Sequence, residues 1–362
     1  MVRVTVPVPG RAYDVTIGSD LLAEAASHVP ELSGGSVAFV VSDRTVSELW
    51  FEPLAGSLRG AGVSPVLLTV PEGEEAKSLQ AYGSLVRQLA GREAHRGDPV
   101  LALGGGAVGD LAGFVASTYM RGVPCIQLPT TLTAQVDAAV GGKTAINLPE
   151  GKNLVGTFSQ PRAVLADLDV LKTLDDRSYR SGLAEIVKIA LTLDLELLET
   201  LEADPRPLLE RDPVALEDAI ARCVGAKARA VAADERDAGA RMVLNYGHTL
   251  GHALERLDAF SGRTHGEAIA TGMVFAAQLA VARGRAADLA TRTARLLFSV
   301  GLDAPGPIPP ADDVLAALRM DKKYRDGVRW ILLDEPGRPR VVDDVSDDEV
   351  RSVLDEIGGS SA

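Results

Sequence analysis

The sequence predicts an α/β domain built on a mostly parallel sheet, followed by a mainly α-helical domain. Up to about residue 175, short apolar runs alternate with helical stretches, a pattern typical of strands joined by helices in a parallel sheet. After residue 176, leucine and alanine recur with helical spacing, and β-branched runs are absent until Val328 to Leu333. The 362 residues also exceed what one compact core usually accommodates. We therefore predict two domains, 1–175 and 176–362.

The predicted strands of the first domain are apolar runs, each of the first four followed by a polar or glycine-rich turn. Ligands of open α/β sheets lie beyond the carboxyl ends of the strands, so these turns are expected to line one crevice. The predicted strands are Val37 to Val41, Val66 to Val70, Val100 to Leu103, Cys125 to Leu128 and Ala163 to Asp167. The predicted helices of the second domain are Leu183 to Leu201, Val214 to Asp234, Arg241 to Leu257 and Ala268 to Gly284.

Composition excludes several classes of protein. A formal net charge of -13 disfavours partners such as nucleic acids or anionic membranes, because these require a basic surface. The longest uncharged apolar stretch, Ala268 to Ala282, is too short to span a bilayer and predicts a buried core helix. The two cysteines, Cys125 and Cys223, lack Cys-x-x-Cys spacing, and no signal peptide is evident at the N-terminus. We expect a cytoplasmic location.

A cluster of histidines predicts a metal site. Three of the five histidines, His248, His252 and His265, lie close together among glycines. Because His248 and His252 are four residues apart, they share one face of a helix, and spacing alone suggests them as paired ligands. No Glu follows His248, so the pattern is not that of a zinc metalloprotease. Glu185 is a candidate third ligand, although an ion pair with Lys188 is its simpler interpretation.

Two glycine-rich segments of the first domain predict anion binding. Gly104 to Asp110 contains G-x-G-x-x-G after a predicted strand and before a predicted helix, where bare backbone amides can hold a pyrophosphate. A purely structural turn remains an alternative, because the candidate ribose-binding acids, Asp43 and Glu74, precede the motif. Gly141 to Thr144 joins glycine to lysine without the spacing of a Walker loop, which disfavours an ATPase.

Taken in order, motifs along nearly the whole chain resemble the 3-dehydroquinate synthase family of sugar phosphate cyclases. The resemblance implies an N-terminal nucleotide-binding domain with a Rossmann-like sheet, a helical C-terminal domain, a cleft holding NAD+ and a divalent metal (Zn2+ or Co2+), and a homodimer. The motifs are Gly104 to Phe114, Tyr119 to Pro124, Pro129 to Thr131, Val136-Asp137, Val140 to Thr144, Gly151 to Leu154, Leu183 to Glu185, Asn245 to Thr249 and His265 to Glu267.

Residue by residue, the resemblance assigns three sets of contacts. The implied metal ligands are Glu185, His248 and His265, which leaves His252 to the substrate. The implied NAD+ contacts are Asp43, Glu74, Lys77, Gly105, Gly106, Asp110, Thr130, Thr131, Asp137, Lys143, Lys152 and Thr173. The implied substrate and catalytic residues are Lys143, Asn153, Lys188, Lys227, Arg241, Asn245, His252, one or both of Lys322 and Lys323, and Arg121, which would reach the site of a neighbouring subunit.

The implied reaction is that of a carbon–oxygen lyase. It converts 3-deoxy-D-arabino-heptulosonate 7-phosphate to 3-dehydroquinate and phosphate by transient oxidation, phosphate elimination, reduction and aldol closure, with NAD+ regenerated. Cyclases that act on substrates without a carboxylate are disfavoured by the retention of both Lys227 and Arg241. Aminodehydroquinate synthase and a metal-dependent NAD polyol dehydrogenase remain alternatives. A non-catalytic metal-binding protein would leave the glycine-rich turns unexplained.

Overall fold

The chain folds into two compact units. The computed structural model describes residues 1–32, 35–237, 239–258, 262–304, 306–320 and 327–359. The first unit comprises Met1–Leu174 and Pro213–Arg236, and the second comprises Asp175–Asp212 and Asp237–Ala362. The predicted fold class is confirmed, because the first unit is built on a mostly parallel sheet with helices and the second is mainly helical.

The first unit consists of strands and helices that alternate along the chain. Its strands are β1 (Val2–Val6), β2 (Tyr13–Gly18), β3 (Val37–Asp43), β4 (Ser64–Val70), β5 (Val100–Gly104), β6 (Cys125–Pro129), β7 (Lys143–Leu148), β8 (Gly151–Phe158) and β9 (Ala163–Asp167). Its helices are α1 (Ala25–His28), α2 (Arg44–Gly60), α3 (Leu79–Gly91), α4 (Gly106–Thr118) and α8 (Pro213–Ala233). Short 3₁₀ turns occur at Gly73–Ala76, Tyr119–Arg121 and Asp169–Thr173, and a π-helical turn occurs at Ala134–Ala138.

In the described part of the chain, the central sheet has the strand order β1-β2-β9-β6-β5-β3-β4. Every neighbouring pair is parallel except β1 and β2, which form an antiparallel edge. Strand β3 pairs with β4 on one side and with β5 on the other, so the direction of travel across the sheet reverses between β3 and β5. Such a reversal opens a crevice at the carboxyl ends of the strands, which is where ligands of these sheets lie.

The central strands form because their sequences are apolar on both faces. All five residues of β5 and of β6 are buried, as expected where helices cover both faces of a parallel sheet. Phe39, Leu68 and Leu85 belong to one buried cluster that joins β3 and β4 to α3. The cluster supports the sheet edge that carries the polar turns described below.

The second unit is a helical assembly with one small hairpin in its described part. Its helices are α5 (Asp176–Thr192), α6 (Leu195–Ala203), α7 (Arg206–Leu209), α9 (His248–Leu257), α10 (His265–Ala282), α11 (Leu289–Ser299), α12 (Ala311–Arg319) and α13 (Asp347–Gly359). A 3₁₀ turn spans Ala240–Asn245, and the antiparallel strands are β10 (Trp330–Leu333) and β11 (Pro339–Val342). The predicted core helix lies within α10, which is buried along most of its length. Within the described residues, we find no helix long and apolar enough to cross a membrane.

Two predicted helices are interrupted in the structure. The stretch from Leu183 to Leu201 divides because α5 ends at Thr192 and the Asp194 side chain accepts the Leu197 N–H to start α6. The stretch from Arg241 to Leu257 divides at Gly247, whose φ of 80° lies in the left-handed region. In both cases the helical period continues across the break, so periodicity could not locate it.

One further segment differs from its sequence-based description, and another agrees with it. Helix α8, which the sequence places among the helices of the C-terminal half, belongs by its contacts to the first unit, where it packs on β1 and β2. The N-terminal ammonium of Met1 lies 2.6 Å from the Glu217 carboxylate of this helix. The segment with lysine and glycine at 141–153 lies in the antiparallel hairpin of β7 and β8, which agrees with the interpretation that it is not a Walker motif, whose loop leads into a helix.

Candidate metal centre and nucleotide crevice

Three potential metal ligands of the second unit come together from three helices. Glu185 lies within α5, whereas His248 and His265 are the first residues of α9 and α10. A capping box defines the start of α10: the Thr264 hydroxyl accepts the Glu267 N–H, and the Glu267 carboxylate accepts the Thr264 N–H. The position of the His265 ring is thereby linked to a well-defined helix start.

The two imidazoles converge on one carboxylate oxygen. The Nε2 atoms of His265 and His248 lie 3.1 Å and 3.5 Å from the same oxygen, Oε1 of Glu185. One ligand atom from each of the three side chains falls within 4.8 Å of the others. A set of two imidazoles and one carboxylate suits a divalent ion such as zinc, and three ligands leave a coordination position for a substrate or water. The residues present therefore fit a catalytic metal.

The electrostatics of this group are consistent with a cation site. The Lys188 ammonium lies 2.5 Å from Oε2 of Glu185, and both side chains are almost completely buried. Burial alone would raise the pKa of Glu185, but Lys188 and the two imidazoles hold it well below its usual value. Burial lowers the pKa of His248, and Lys188 lowers it further. Burial opposes protonation of His265 as well, yet Glu185 and Glu255 raise its pKa to about 10. A metal ion would take the place of this His265 proton.

Close backbone packing brings the ligand helices together. A Cβ atom on Gly272 of α10 would lie 1.8 Å from the Gly247 carbonyl oxygen, directly before His248. A Cβ atom on Gly266 would lie 2.3 Å from backbone atoms of Ser181, and the Gly266 N–H donates to the Ser181 hydroxyl at 2.8 Å. Only glycine permits these approaches, because backbone atoms cannot move aside as flexible side chains can.

The structure does not assemble the histidine pair that spacing suggests. His252 follows His248 by one turn of α9, and their ring centroids are 5.3 Å apart. His252 is nevertheless outside the group of convergent ligand atoms, whereas Glu185 from a distant helix is inside it. Sequence spacing identifies a shared helix face, but it cannot identify a ligand that tertiary packing supplies from elsewhere.

Other predicted substrate residues of the second unit lie near the ligand helix or outside the described residues. Arg241 and Asn245 are on the 3₁₀ turn that packs against α5, and Arg241 is almost fully buried. Lys188 is on α5 itself, one turn from Glu185. Lys322 and Lys323 fall outside the part of the chain that the structure describes.

In the first unit, the predicted nucleotide turns meet at the reversal of strand order. Gly105 and Gly106 follow β5 at the N-terminus of α4, where backbone N–H groups and the helix dipole favour a phosphate. Asp43 ends β3, and Thr130 and Thr131 follow β6. Because β3, β5 and β6 are neighbours in the parallel sheet, their carboxyl ends bring these residues to one edge.

This edge provides bare backbone and buried polar atoms without protein partners. A Cβ atom on Gly105 would lie 3.1 Å from the Thr131 methyl group, and a Cβ atom on Gly106 would lie 3.1 Å from Ala138. Within the described residues, the buried hydroxyls of Thr130 and Ser42 have no hydrogen-bond partner. Both features fit a nucleotide whose phosphates and hydroxyls approach the backbone closely.

A buried lysine links three of the predicted contact residues. The Lys77 ammonium donates to the Asp110 carboxylate at 2.6 Å and to the Asn153 side-chain oxygen at 2.5 Å. Burial raises the pKa of Asp110, although the charge of Lys77 opposes that increase. The Lys152 ammonium lies 4.0 Å from the Glu74 carboxylate, so the turn after β4 and the β7–β8 hairpin are joined by charge as well.

A second buried lysine lies beside the π-helical turn. The Lys227 ammonium of α8 donates to the backbone oxygen of Asp137 at 2.5 Å and to its carboxylate at 2.8 Å. Single π-helical turns often occur at functional sites. Lys227 and Asp137 were predicted to contact substrate and NAD+, respectively, and the structure brings them together.

The remaining predicted residues of the first unit are exposed. Lys143 is at the start of β7, and the Thr173 hydroxyl accepts the indole N–H of Trp50 at 3.2 Å. Arg121 lies in a strained turn, where both Met120 and Arg121 have positive φ. Residues with such backbone conformations cluster at functional sites. No described contact connects Arg121 with the other predicted residues of this unit.

Sequence reasoning missed two side chains at these sites. Ser42 directly precedes the predicted ribose-binding Asp43, and its position at the end of an apolar strand was an available signal. Glu255 lies 3.6 Å from the Nδ1 atom of His265. Glu255 follows His248 by seven residues, and this two-turn spacing places both side chains on one face of α9.

Comparison with known proteins agrees with this architecture. Residues 67–181 match the family model for the N-terminal part of 3-dehydroquinate synthase, and residues 182–324 match the model for its C-terminal part. The 3-dehydroquinate synthase of Geobacter metallireducens is 45% identical over 334 residues, which cover 92% of this chain and 93% of that protein.

Solved structures with the same fold include two cyclases with bound cofactors. A 2-deoxy-scyllo-inosose synthase complexed with carbaglucose-6-phosphate, NAD+ and Co2+ has a TM-score of 0.90 at 29% identity, covering 98% of this chain and 100% of that one. The 2-epi-5-epi-valiolone synthase of Streptomyces hygroscopicus subsp. jinggangensis, with NAD+ and Zn2+ bound, has a TM-score of 0.88 at 31% identity. The match covers 96% of this chain and 97% of that one.

The fold and the ligand triad, together with these neighbours, define a protein of the sugar phosphate cyclase class. Within that class, both family models and the full-length relative point to one member. The chain belongs to the 3-dehydroquinate synthase family.

Proposed function

We propose that this chain is a 3-dehydroquinate synthase of the shikimate pathway. It converts 3-deoxy-D-arabino-heptulosonate 7-phosphate to 3-dehydroquinate and phosphate, and is therefore a carbon–oxygen lyase. The observation that carries the proposal is the convergence of Glu185, His248 and His265 in a chain of this family. The same reaction accounts for the glycine-rich turn after β5, which a metal-binding protein without a nucleotide would not need.

The proposal requires NAD+ and a divalent metal. When bound, NAD+ supplies a reversible hydride acceptor and the metal supplies a Lewis acid for substrate hydroxyls. Glu185, His248 and His265 would hold Zn2+ or Co2+. The nucleotide contacts would come from the edge of the sheet around Asp43, Gly105 and Thr130, and from the other NAD+ contacts that the resemblance assigns.

Buried cations would recognise the two anionic ends of the substrate. Lys188, Lys227 and Arg241 are each 5% exposed or less, although the chain as a whole carries a net charge of -13. Two of these cations are paired with carboxylates that are themselves predicted site residues, Lys188 with Glu185 and Lys227 with Asp137, so the buried charges belong to the proposed metal and nucleotide contacts. A substrate with both a carboxylate and a phosphate uses several cations, whereas a sugar phosphate without a carboxylate uses fewer.

The remaining assignments follow the family. Asn153, Asn245, His252 and Lys143 would orient the substrate, together with Lys322 or Lys323. We propose a homodimer in which Arg121 contributes to the site of the partner, and its exposed position at a strained turn is compatible with that role. We also propose that the enzyme acts in the cytoplasm, where this biosynthetic substrate would be formed.

The proposal is tested by incubating zinc-loaded protein with the heptulosonate phosphate and substoichiometric NAD+. We expect phosphate and 3-dehydroquinate to appear in equal amounts over many turnovers, without net NADH. Formation of one NADH per substrate consumed would instead identify a dehydrogenase. No phosphate release by folded, zinc-loaded protein would overturn the proposal.

Substrate choice is tested in a parallel assay with competing sugar phosphates. We expect sedoheptulose 7-phosphate, which has no carboxylate, to be turned over poorly in comparison with the heptulosonate. A higher kcat/KM for the amino-substituted heptulosonate would assign the chain to aminodehydroquinate synthesis. Lys227→Met provides the matched variant, because loss of a carboxylate-binding cation should reduce kcat/KM for the acidic substrates more than for sedoheptulose 7-phosphate.

A further inference from the structure

Glu255 is a buried carboxylate beside the metal ligands that the proposed reaction leaves unassigned. It lies on α9, and its side chain is 12% exposed. A buried carboxylate costs free energy unless positive or hydrogen-bonding groups compensate it. The His265 ring is one such group, because its Nδ1 atom lies 3.6 Å from Oε1 of Glu255.

The His265 ring therefore lies between two carboxylates on different helices. Its Nε2 atom faces Glu185 of α5 at 3.1 Å, and its Nδ1 atom faces Glu255 of α9. An acceptor at Nδ1 favours the tautomer that carries hydrogen on Nδ1, which leaves the Nε2 lone pair for a metal. The 3.6 Å separation exceeds the length of a hydrogen bond, and a small rotation of either side chain would close it.

The second imidazole ligand has an equivalent anchor. Nδ1 of His248 lies 3.2 Å from the Tyr246 carbonyl oxygen, while its Nε2 faces Glu185. Each ring thus has an oxygen near its Nδ1 atom and the shared Glu185 carboxylate near its Nε2 atom. One acceptor is a backbone atom, and the other is the side chain of Glu255.

The helix packing brings Glu255 to the first turn of α10. His248 and Glu255 are two turns apart on one face of α9, so the helix that supplies one ligand also supplies the anchor for the other. Between them lies Gly251, where a Cβ atom would be 3.2 Å from the Ala268 carbonyl oxygen of α10. This close approach of the two helices holds Glu255 near the His265 ring.

We infer that Glu255 is a positioning residue that orients His265 for metal binding. The inference rests on the proposed metal site, but not on the substrate or the reaction. Residues behind metal-binding imidazoles typically change metal affinity by 10- to 100-fold when they are removed. Loss of the Glu255 carboxylate should therefore weaken zinc binding while all three ligands remain.

The test measures the zinc dissociation constant of folded protein by competition with a chromogenic chelator. We expect Glu255→Met, which removes the acceptor at similar size, to weaken zinc binding about 10- to 100-fold. Glu255→Gln retains an oxygen acceptor and should restore most of the affinity. The matched control is Glu202→Gln, since Glu202 of α6 pairs with Arg292 rather than with an imidazole, and its zinc affinity should stay near that of the wild type.

A second measurement does not depend on the stability of Glu255→Met. In the zinc-loaded wild type, ¹⁵N-edited NMR should show a downfield Nδ1 proton on His265 that shifts in Glu255→Gln. Absence of that proton, or its insensitivity to Glu255→Gln, would overturn the inference. So would a folded Glu255→Met variant whose zinc affinity equals that of the wild type or of Glu202→Gln.

These outcomes are separable from the proposed function. Wild-type protein that binds zinc but releases no phosphate would overturn the synthase and leave the role of Glu255 intact. Wild-type protein that is an active synthase, with zinc affinity that does not depend on Glu255, would support the proposed function and overturn the role of Glu255. Wild-type protein that binds no zinc would contradict both the metal site and the role of Glu255.

Discussion

At the scale of single residues, the three histidines of the cluster have different surroundings although they are close in sequence. His248 and His265 share Oε1 of Glu185, whereas His252 lies outside the group of convergent ligand atoms. The difference arises because Glu185 reaches the site from α5, so ligand geometry depends on where that helix packs. Substitution of the two α9 histidines separates these roles.

We expect His248→Ala to lose bound zinc and nearly all turnover, because two ligands rarely retain a metal that three hold. His252→Ala should retain zinc at wild-type stoichiometry but turn over the substrate at least about tenfold more slowly, as expected when a positioned acid, base or hydrogen-bond donor is lost. Zinc content by mass spectrometry and phosphate release check both variants. Zinc loss in His252→Ala would restore the ligand pairing that sequence spacing suggests.

At the scale of helices and strands, the metal centre depends on the close approach of α9 and α10. The alanine methyl group in Gly272→Ala would meet the Gly247 carbonyl oxygen at 1.8 Å, a contact that no side-chain rotation relieves. We expect this variant to lose about 3 kcal/mol or more of stability, within the range of severe overpacking, and to bind zinc more weakly because His248 moves with Gly247. Thermal unfolding and zinc competition measure the two effects.

The control for this substitution is Gly225→Ala in α8. The added methyl group would have only the Arg229 guanidinium nearby, at 3.6 Å. Alanine is favoured over glycine in a helix by about 1 kcal/mol, so Gly225→Ala should be neutral or stabilising. Equal changes in stability for the two substitutions would show that helix propensity, rather than the contact with Gly247, determines the stability of Gly272→Ala.

An ion-pair network joins the end of α10 to α13. The Arg283 guanidinium contacts the Glu349 and Asp344 carboxylates at 2.8 Å and 2.6 Å. Hydrogen bonds from Arg283, and then from the Ser346 backbone, lower the pKa of Glu349 from 4.5 to about 2. A carboxylate whose pKa is lower in the folded protein stabilises the fold above its unfolded pKa, and this contribution is lost as the pH falls from 4.5 to about 2.

We therefore expect Glu349→Gln to reduce stability near neutral pH by about 1 kcal/mol, a value limited by solvent screening of this partly exposed pair. The difference from the wild type should shrink as the pH falls towards 2, because the wild-type carboxylate becomes protonated. Thermal unfolding of both proteins across this pH range tests the sign of the pH dependence. A difference that grows on acidification would contradict the assigned role of Glu349.

At the scale of the whole molecule, the predicted ligand sites divide between the two compact units. The convergent metal ligands belong to the second unit, whereas the glycine-rich turn and the acid after β3 belong to the first. A ligand stabilises the folded state by about 2.7 kcal/mol at 100 times its dissociation constant. Each ligand should therefore slow hydrogen exchange first in the unit that holds its contacts.

Hydrogen exchange with mass spectrometry tests this division. We expect zinc to protect peptides from α5, α9 and the start of α10, and NAD+ to protect peptides from the end of β3 and the start of α4. His248→Ala should abolish the zinc-dependent protection and leave the NAD+-dependent protection in place. Protection of the β3 and α4 peptides by zinc alone in the wild type would contradict the assignment of the zinc ligands to the second unit.

Much of the fold was predictable because local patterns determine it. The strand Ala163–Asp167 forms where predicted, since a run that is apolar on both faces is stable only between covering layers. The break between α5 and α6 was not predictable from periodicity, because the helical spacing continues through Asp194. The predicted contacts at Lys322 and Lys323 remain predictions, since those residues lie outside the described ranges.

The sequence by itself determined the fold class, the family and the residue types of the metal site, because apolar period, glycine position and motif order are local properties of the chain. Tertiary structure decided which side chains meet. Glu185 joins His248 and His265 across helices, and Glu255 reaches His265 through the approach of α9 and α10. These contacts depend on backbone distances at Gly247, Gly266 and Gly272, which no linear spacing specifies.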